Sequence, residues 1–177
     1  MQTTRRPAVF LDRDGVINED NPNYTYKVSE FKILPGVIAS LQKLRSLGFK
    51  LVVITNQSGI SQGIYSIDQM KDCHNYFQKV CGGLIDQFYF SPYSPSVTES
   101  LLRKPGTLMF EKAIVKFNID VSKSWMIGDR GRDIVPAGKL GIKTIQVGDE
   151  IPIPEERASY KVNNLKEAVE IIEGQMR

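Results

Sequence analysis

Short apolar segments alternate with longer segments of helical periodicity along most of the chain. The apolar segments are rich in β-branched and aromatic residues, a pattern typical of strands buried on both faces of a parallel sheet. They predict strands over 8–11, 50–54, 85–90, 125–127 and 144–147. Apolar residues at helical spacing predict helices over 35–47, 66–80, 107–117, 134–140 and 164–173. This order indicates an α/β fold, with a Rossmann-like parallel sheet of about five or six strands and helices on both faces.

Local signals support several of the predicted helix ends. Ser66 and Gln69 have the spacing of a capping box at a helix start. Gly48 follows a predicted helix at the position where a left-handed glycine is common. The connection 18–34 is only loop-sized, and one predicted helix fills the segment between the second and third strands. We therefore expect a single domain over residues 1–177, with no separate cap domain and an open site.

Composition restricts the class of protein. Hydrophobic residues make up 41% and charged residues 24% of the 177 residues, as in ordinary soluble domains. The net charge is +3 and the basic residues are scattered, so we expect no nucleic-acid partner. The sequence shows neither a signal-peptide core nor an apolar run of membrane-spanning length, and Cys73 and Cys81 form no disulfide framework. We expect a cytoplasmic monomer with no membrane partner.

Polar residues follow the predicted strands at the edge where open parallel sheets bind their ligands. They are Asp12 and Asp14 after the first strand, Thr55 and Asn56 after the second, Arg103 and Lys104 in the loop after the third, and Asp129 and Asp133 after the fourth. Together they offer acids, a hydroxyl and cations at one edge of the sheet. Carboxylates suit Mg²⁺, and cations and hydroxyls suit the remaining oxygens of a phosphate.

Each group also has a purely structural interpretation. Asp-Arg-Asp-Gly is a common turn composition, and Asp129 and Asp133 could stabilise the start of the following helix. Thr55-Asn56 could form a turn or a helix cap, and Lys104 could be a solvated loop residue. Taken singly, each structural interpretation is the more common one. Matched chemistry at successive strand ends favours the functional interpretation.

At these residues the chain resembles the haloacid dehalogenase-like phosphatases. The similar segments are the four ordered motifs of that family, here Asp12-Arg13-Asp14-Gly15, Thr55-Asn56, Lys104, and Gly128-Asp129 with Asp133. One branch is more similar still. FLDRDGVIN, ILPGVIASLQKLRSLGFKLVVITNQSGISQG, RKPG and MIGDRGRDIVPAGKLGIKT resemble the D,D-heptose 1,7-bisphosphate phosphatases and their histidinol-phosphate phosphatase relatives. The resemblance covers residues 8–148, nearly the whole chain.

The resemblance implies a mechanism with two acids and Mg²⁺. By position, Asp12 attacks phosphorus to form an aspartyl-phosphate, while Asp14 protonates the leaving oxygen and then activates water. The implied metal ligands are the side chains of Asp12 and Asp129 and the backbone carbonyl of Asp14. Asp133 is expected to orient metal-bound water or Lys104.

The remaining implied roles concern charge and the rest of the substrate. Thr55, Lys104 and backbone N–H groups near Arg13 are expected to neutralise the transferring phosphoryl group, which makes Thr55 and Lys104 catalytic alongside the two acids. The side chains and backbone groups expected to contact the substrate are those of Arg13, Asp20, Asn21, Pro22, Asn23, Asn56, Gln57, Ser58, Arg103 and Arg130.

The chain departs from this branch in one loop. In relatives, the loop before the Arg-Lys-Pro element commonly carries Cys and His residues that bind a structural zinc ion. Here the loop reads FSPYSPSVTESLLRKPG, with Ser91 and Tyr93 where a Cys and a His are expected. No tetrahedral nitrogen and sulfur site can be built from these side chains. We therefore predict no zinc, and we expect Pro92, Pro95 and local packing to order the loop.

The leading hypothesis is a Mg²⁺-dependent phosphatase that removes the 7-phosphate of D-glycero-D-manno-heptose 1,7-bisphosphate. Histidinol phosphate or another small sugar phosphate is the alternative substrate. A phosphate-binding protein without catalysis is disfavoured because all four motifs are intact. A nucleic-acid 3′-phosphatase is disfavoured because no basic stripe is present. His74, Cys73 and Cys81 are expected to be structural.

Overall fold

The computed structural model describes residues 4–150 and 154–176. Six strands in these ranges form one sheet: β1 (Ala8–Leu11), β2 (Lys50–Asn56), β3 (Gln87–Ser91), β4 (Trp125–Gly128), β5 (Lys143–Val147) and β6 (Tyr160–Val162). The α-helices of the same ranges are α1 (Val37–Ser46), α2 (Ile67–Val80), α3 (Leu108–Phe117), α4 (Gly131–Lys139) and α5 (Leu165–Gly174). The predicted α/β fold is confirmed.

The strand order creates a crevice between β1 and β4. All neighbouring strands are parallel, in the order β3-β2-β1-β4-β5-β6. The chain extends the sheet from β1 through β2 to β3, and then crosses to β4 on the other side of β1. Ligands of such sheets bind at the carboxyl ends of the strands where the order reverses. The backbone N–H of Asp12 donates to the Ile127 carbonyl at 3.0 Å, so the segment after β1 is fixed against β4.

Helices cover the sheet on both faces. Leu11 and Val53 belong to a buried core shared with α1, α2 and α5. Phe10 and Val52 point to the other face, into a core shared with α3 and α4. Because successive strand residues point to opposite faces, burial on both sides requires continuous apolar runs. The packed sheet therefore presents the polar residues of its carboxyl edge from a rigid base.

The helix-end signals are confirmed. The Ser66 hydroxyl accepts the backbone N–H of Gln69 at 3.1 Å, and the Gln69 side chain accepts the backbone N–H of Ser66 at 2.9 Å. This capping box satisfies two donors at the start of α2 that have no partner within the helix. Gly48 follows α1 with φ +89°, the left-handed conformation predicted for it.

Several element bounds differ from the predicted ones. β3 covers Gln87–Ser91 rather than 85–90, because its pairing with β2 starts only at Gln87. α4 begins at Gly131 rather than 134, since the Asp133 carboxylate accepts the backbone N–H of Arg130 at 3.1 Å and closes the first turn. β6 is a half-buried edge strand of 3 residues, too short to produce a periodic signal in the sequence.

The long connections are ordered by short local structure and hydrogen bonds. The connection after β1 contains a 3₁₀ turn at Val28–Glu30. The loop after β3 is tied to the turn after β2: the Ser61 hydroxyl accepts the backbone N–H of Ser94 at 2.8 Å. The backbone N–H of Ser61 also donates to the Pro92 carbonyl at 3.1 Å. The sequence predicts that prolines order this loop, and the two hydrogen bonds of Ser61 order it as well.

The cysteines and the single histidine are buried. Cys73 and Cys81 are free thiols, and the His74 ring stacks on Phe88 with 4.6 Å between the ring centroids. Burial lowers the pKa of His74 to about 3, so the imidazole is neutral near pH 7. These placements agree with structural roles for all three residues. Across the part of the chain that the structure describes, every helix is too short or too polar to span a bilayer.

Candidate active site

Three carboxylates meet at the crevice between β1 and β4. Asp12 follows β1, Asp129 follows β4, and Asp133 lies in the first turn of α4. Each offers an oxygen atom within 4.8 Å of the others. Within residues 4–150 and 154–176, this is the only group of three or more His, Cys, Asp or Glu side chains close enough to share a metal ion. The structure thus brings together acids that lie up to 121 positions apart in the chain.

A buried lysine lies among the carboxylates. Lys104 Nζ is 2.8 Å from Asp12 Oδ1 and 2.5 Å from Asp133 Oδ1. It also donates to the Ile54 carbonyl at 2.7 Å. Burial by itself lowers the pKa of Lys104, but Asp12 and Asp133 outweigh burial and the pKa rises. Lys104 is therefore a charged ammonium with three oxygen partners, and the solvated-loop interpretation does not hold.

Negative charge exceeds positive charge at this point. Burial raises the pKa of Asp12 to about 6, with Asp133 adding to the rise and Lys104 opposing it. Burial, followed by repulsion from Asp12 and Asp133, raises the pKa of Asp129 to about 7. One buried ammonium thus faces three carboxylates, and a further cation would favour the ionised forms of Asp12 and Asp129 near pH 7.

The donor set fits a hard divalent cation. Asp129 Oδ1 is buried and has no hydrogen-bond partner among the described residues, so a lone pair is available for a metal ion. Gly15 has φ +85°, and a Cβ atom at this position would lie 2.5 Å from Asp129 Oδ2. Only glycine therefore lets the backbone after Asp14 approach Asp129 this closely. Carboxylate and carbonyl oxygens are the ligands that Mg²⁺ prefers.

Asp14 stands apart from the carboxylate cluster and has its own partners. Its Oδ1 atom accepts hydrogen bonds from Arg13 Nη2 at 2.7 Å and from Asn18 Nδ2 at 2.9 Å. Its Oδ2 atom accepts from Gln57 Nε2 at 3.2 Å. The side chain of Arg13 is only 1% exposed, whereas that of Asp14 is 24% exposed. Hydrogen bonds from these three residues thus fix the Asp14 side chain, while part of its carboxyl group remains exposed to solvent.

The contacts of Gln57 connect Asp14 to the second strand end. Gln57 Nε2 donates to Thr55 Oγ1 at 2.8 Å in addition to Asp14. The Tyr65 hydroxyl donates to Gln57 Oε1 at 2.8 Å, which fixes the orientation of the amide. The sequence predicts that Gln57 contacts the substrate, whereas no motif in it indicates Tyr65. No local pattern indicates this network, because it forms only when β1 and β2 pair.

A polar cavity of about 520 Å³ opens above Asp14. Its wall contains seven of the residues expected to contact substrate: Asp20, Asn21, Pro22, Asn56, Ser58, Arg103 and Arg130. It also contains Tyr24, Gly131, Arg132 and Glu150, which the sequence analysis did not predict. Asn23 lies outside this wall. The Arg13 and Gln57 side chains lie buried behind it, paired with Asp14.

The sheet order, the paired acids after β1, the acids after β4 and the buried lysine define a hydrolase site of the HAD-like class. A family model described as HAD-hydrolase-like matches residues 101–168. The structure also resembles that of D,D-heptose 1,7-bisphosphate phosphatase from B. bronchiseptica, solved with magnesium and phosphate. The TM-score is 0.85 at 21% identity, over 96% of this chain and 99% of that one. This likeness establishes the shared fold.

Sequence comparison then identifies the family. The D-glycero-beta-D-manno-heptose-1,7-bisphosphate 7-phosphatase of Haemophilus ducreyi is 33% identical, over 93% of this chain and 97% of that protein. The D-glycero-alpha-D-manno-heptose-1,7-bisphosphate 7-phosphatase of Photorhabdus laumondii is 34% identical, over 98% and 100% of the two chains. The chain belongs to the family of D-glycero-D-manno-heptose-1,7-bisphosphate 7-phosphatases, and the resemblance inferred from its motifs is confirmed.

Proposed function

We propose that the protein is a Mg²⁺-dependent phosphatase that removes the 7-phosphate of D-glycero-D-manno-heptose 1,7-bisphosphate through an aspartyl-phosphate. The observation that carries the chemistry is the pairing of buried Lys104 with Asp12, which lies two residues along the chain from Asp14 in the cavity wall. The identity of the sugar in this proposal comes from the names of the relatives. Volume and polarity of the cavity suit a small sugar phosphate.

Asp12 is the proposed nucleophile. Lys104 Nζ and the backbone N–H of Arg13 both contact its Oδ1 atom, each at 2.8 Å. These contacts hold the carboxylate in one orientation and leave Oδ2 as the attacking oxygen. Attack forms the bond from Oδ2 to phosphorus and breaks the bond from phosphorus to the sugar oxygen. Water then attacks the same phosphorus atom, releasing inorganic phosphate and restoring the carboxylate.

Asp14 is the proposed proton donor and acceptor. It gives a proton to the sugar oxygen as that oxygen leaves, and it takes a proton from the water molecule that attacks the intermediate. The contacts from Arg13, Asn18 and Gln57 position its carboxyl group at the cavity wall. The two neighbouring acids can perform different tasks here, because Asp12 lies against buried Lys104, whereas Asp14 pairs with Arg13 and lines the cavity.

Mg²⁺ would be held by the carboxylates of Asp12 and Asp129 and by the backbone carbonyl of Asp14. When bound, it neutralises negative charge on the phosphate. Asp133 positions Lys104, since its Oδ1 atom lies 2.5 Å from Nζ. The Thr55 hydroxyl accepts a hydrogen bond from Gln57, so its own proton is directed to another acceptor. We assign that acceptor as a phosphate oxygen.

The residues of the cavity wall would bind the sugar and its second phosphate. Asn56 supports this wall, because its side chain forms two hydrogen bonds of 3.0 Å with the backbone of Lys104. Asp20 and Arg130, which both line the cavity, form an ion pair at 3.2 Å. Hydroxyl and amide groups at Ser58 and Asn21 suit the hydroxyls of a sugar ring.

Phosphate release tests this function most simply. The wild-type protein would be assayed with Mg²⁺ on both anomers of the heptose 1,7-bisphosphate, on histidinol phosphate and on a 3′-phosphorylated oligonucleotide. We expect the highest kcat/KM for one anomer of the heptose bisphosphate, and we expect EDTA to abolish turnover. Asp12→Asn should lose activity on every substrate, by at least about 10⁴-fold.

Other results would change either the proposed substrate or the proposed mechanism. A preference for histidinol phosphate or another sugar phosphate would replace the proposed substrate and leave the mechanism in place. Full activity of Asp12→Asn, or binding of phosphate without turnover in the wild-type protein, would overturn the mechanism.

A further inference from the structure

Three arginines line the active-site cavity, but they differ in the partners they have. Arg130 contacts Asp129 and Asp20 at 3.2 Å each and Glu150 at 3.4 Å. The charge of Arg130 is thus balanced by protein carboxylates. The remaining acid of the cavity wall, Asp14, is paired with Arg13 behind the wall. No acid of the wall is therefore left for the other two arginines.

Arg132 has no such partner. It is exposed, and it forms no ion pair and no side-chain hydrogen bond with any other described residue. It is also the second residue of α4, in the first turn of the helix. Helix N-termini carry partial positive charge and favour acids, so an arginine at this position depends on nearby negative charge, either from Asp129, whose ionised form it favours, or from a bound anion.

Arg103 lies on the same cavity wall and is also without an acid partner among the described residues. Its Nη1 atom donates to the Tyr93 carbonyl at 3.0 Å, which holds the half-buried guanidinium in the wall. Arg103 and Arg132 line the same cavity, and burial first, then the positive charge of Arg132, lower the pKa of Arg103. Two like charges that face one open cavity form a site for an anion.

We propose that Arg103 and Arg132 form a second anion site in the cavity, which receives the phosphate group of a bisphosphate substrate that is not hydrolysed. In this assignment Arg132 determines the preference for a bisphosphate over a monophosphate, and Arg130 instead fixes the positions of Asp129 and Asp20. The inference rests on the proposed function, because it takes the scissile phosphate to lie at Asp12. It adds a residue that the motif analysis did not select.

The test compares two substrates that differ only in the second phosphate. Arg132→Gln and the wild-type protein would be assayed on the heptose 1,7-bisphosphate and on the corresponding 7-monophosphate. We expect Arg132→Gln to lower kcat/KM for the bisphosphate by about tenfold or more, mainly through KM. Turnover of the 7-monophosphate should fall much less, because this substrate has no group to place in the second anion site. Arg132→Lys should retain part of the preference, because it keeps the charge but loses the bidentate geometry.

Lys139→Gln is the matched control. Lys139 is exposed at the far end of the same helix and does not line the cavity. Its substitution by Gln removes one positive charge, as Arg132→Gln does. It should leave both substrates unaffected. Equal losses on both substrates in Arg132→Gln, or no loss on either, would overturn the role of Arg132 and leave the phosphatase proposal intact. If the wild-type protein hydrolyses p-nitrophenyl phosphate but not the bisphosphate, the proposed substrate is wrong, and the second anion site fails with it.

Discussion

Gly15 is the point where the backbone after Asp14 comes close to Asp129. Its φ of +85° and the 2.5 Å between a Cβ at this position and Asp129 Oδ2 are two separate constraints. The Asp-Arg-Asp-Gly composition indicates the turn and therefore the first constraint. The second depends on the packing of β1 against β4, which no local pattern reports. The glycine thus serves the site as well as the turn.

Gly15→Ala measures the cost of that close approach, and Gly48→Ala is its control. Gly48 has a similar φ of +89°, but a Cβ there would meet nothing within 4 Å. We expect Gly48→Ala to lower the free energy of unfolding by about 1–2 kcal/mol, the cost of a left-handed alanine. Gly15→Ala should cost more and should also displace Asp129, which reduces stabilisation by Mg²⁺. Urea denaturation with and without Mg²⁺ measures both effects.

One result would contradict the expected extra cost of Gly15→Ala. Equal losses in the two variants, with the same gain from Mg²⁺ in each, would show that Asp129 tolerates a side chain at Gly15. The metal site would then not depend on the contact between these two segments.

At the scale of elements, the loop after β3 depends on the turn after β2. The Ser61 hydroxyl accepts the backbone N–H of Ser94 at 2.8 Å, and the Ser94 and Ser96 hydroxyls lie 2.8 Å apart. Arg103 Nη1 donates a hydrogen bond to the Tyr93 carbonyl at 3.0 Å. Because Lys104 follows Arg103 directly, the order of this loop affects the lysine that holds Asp12. We infer that these hydrogen bonds contribute to the order of the loop.

Ser61→Ala tests that inference. We expect amide hydrogen exchange at Ser94 to become faster by up to about tenfold, since one hydrogen bond is removed. Exchange in β1 and β4 should not change. Ser46→Ala is the control, because the Ser46 hydroxyl donates only to Lys43 within its own helix. An unchanged exchange rate at Ser94, measured by NMR, would mean that other contacts hold the loop.

The elements differ in how well the sequence predicts them, and the reasons are physical. Strands buried on both faces have continuous apolar runs, and α2 has a capping box, so these elements are found almost residue by residue. β6 is missed because only 3 half-buried residues at the edge of the sheet form it. β2 extends through Thr55 to Asn56, because pairing with β3 continues past the apolar run. The motif residues are identifiable from sequence, whereas the partners of Gln57 and the place of Arg132 require the fold.

At the scale of the whole molecule, the excess of carboxylates would couple binding of the proposed Mg²⁺ to stability. Asp12 and Asp129 have pKa values raised from 3.8 to about 6 and about 7 in the folded protein. Between pH 4 and pH 7 the folded state therefore holds more protons at these groups than the unfolded state. Their contribution to the free energy of unfolding consequently falls as the pH rises through this range.

We expect Mg²⁺ to reverse that loss, because it replaces the protons that these carboxylates release. The rise in Tm on adding Mg²⁺ should be small at pH 5 and larger at pH 8. Thermal unfolding at both pH values measures the rise, and Asp129→Asn should remove most of it. A rise of the same size at both pH values, or one that persists in Asp129→Asn, would place the cation elsewhere. One cooperative transition is also expected, because we propose a single domain and a monomer.

The central claim is that Asp12 carries the phosphoryl group during turnover. Borohydride reduces an acyl phosphate to an alcohol, so quenching the reaction with borohydride marks the residue that was phosphorylated. With the heptose 1,7-bisphosphate and Mg²⁺ present, mass spectrometry of the digested protein should find this change at Asp12 and nowhere else. Samples without substrate, and Asp12→Asn, should show no change. Reduction at another carboxylate, or full turnover with Asp12 never modified, would contradict the account.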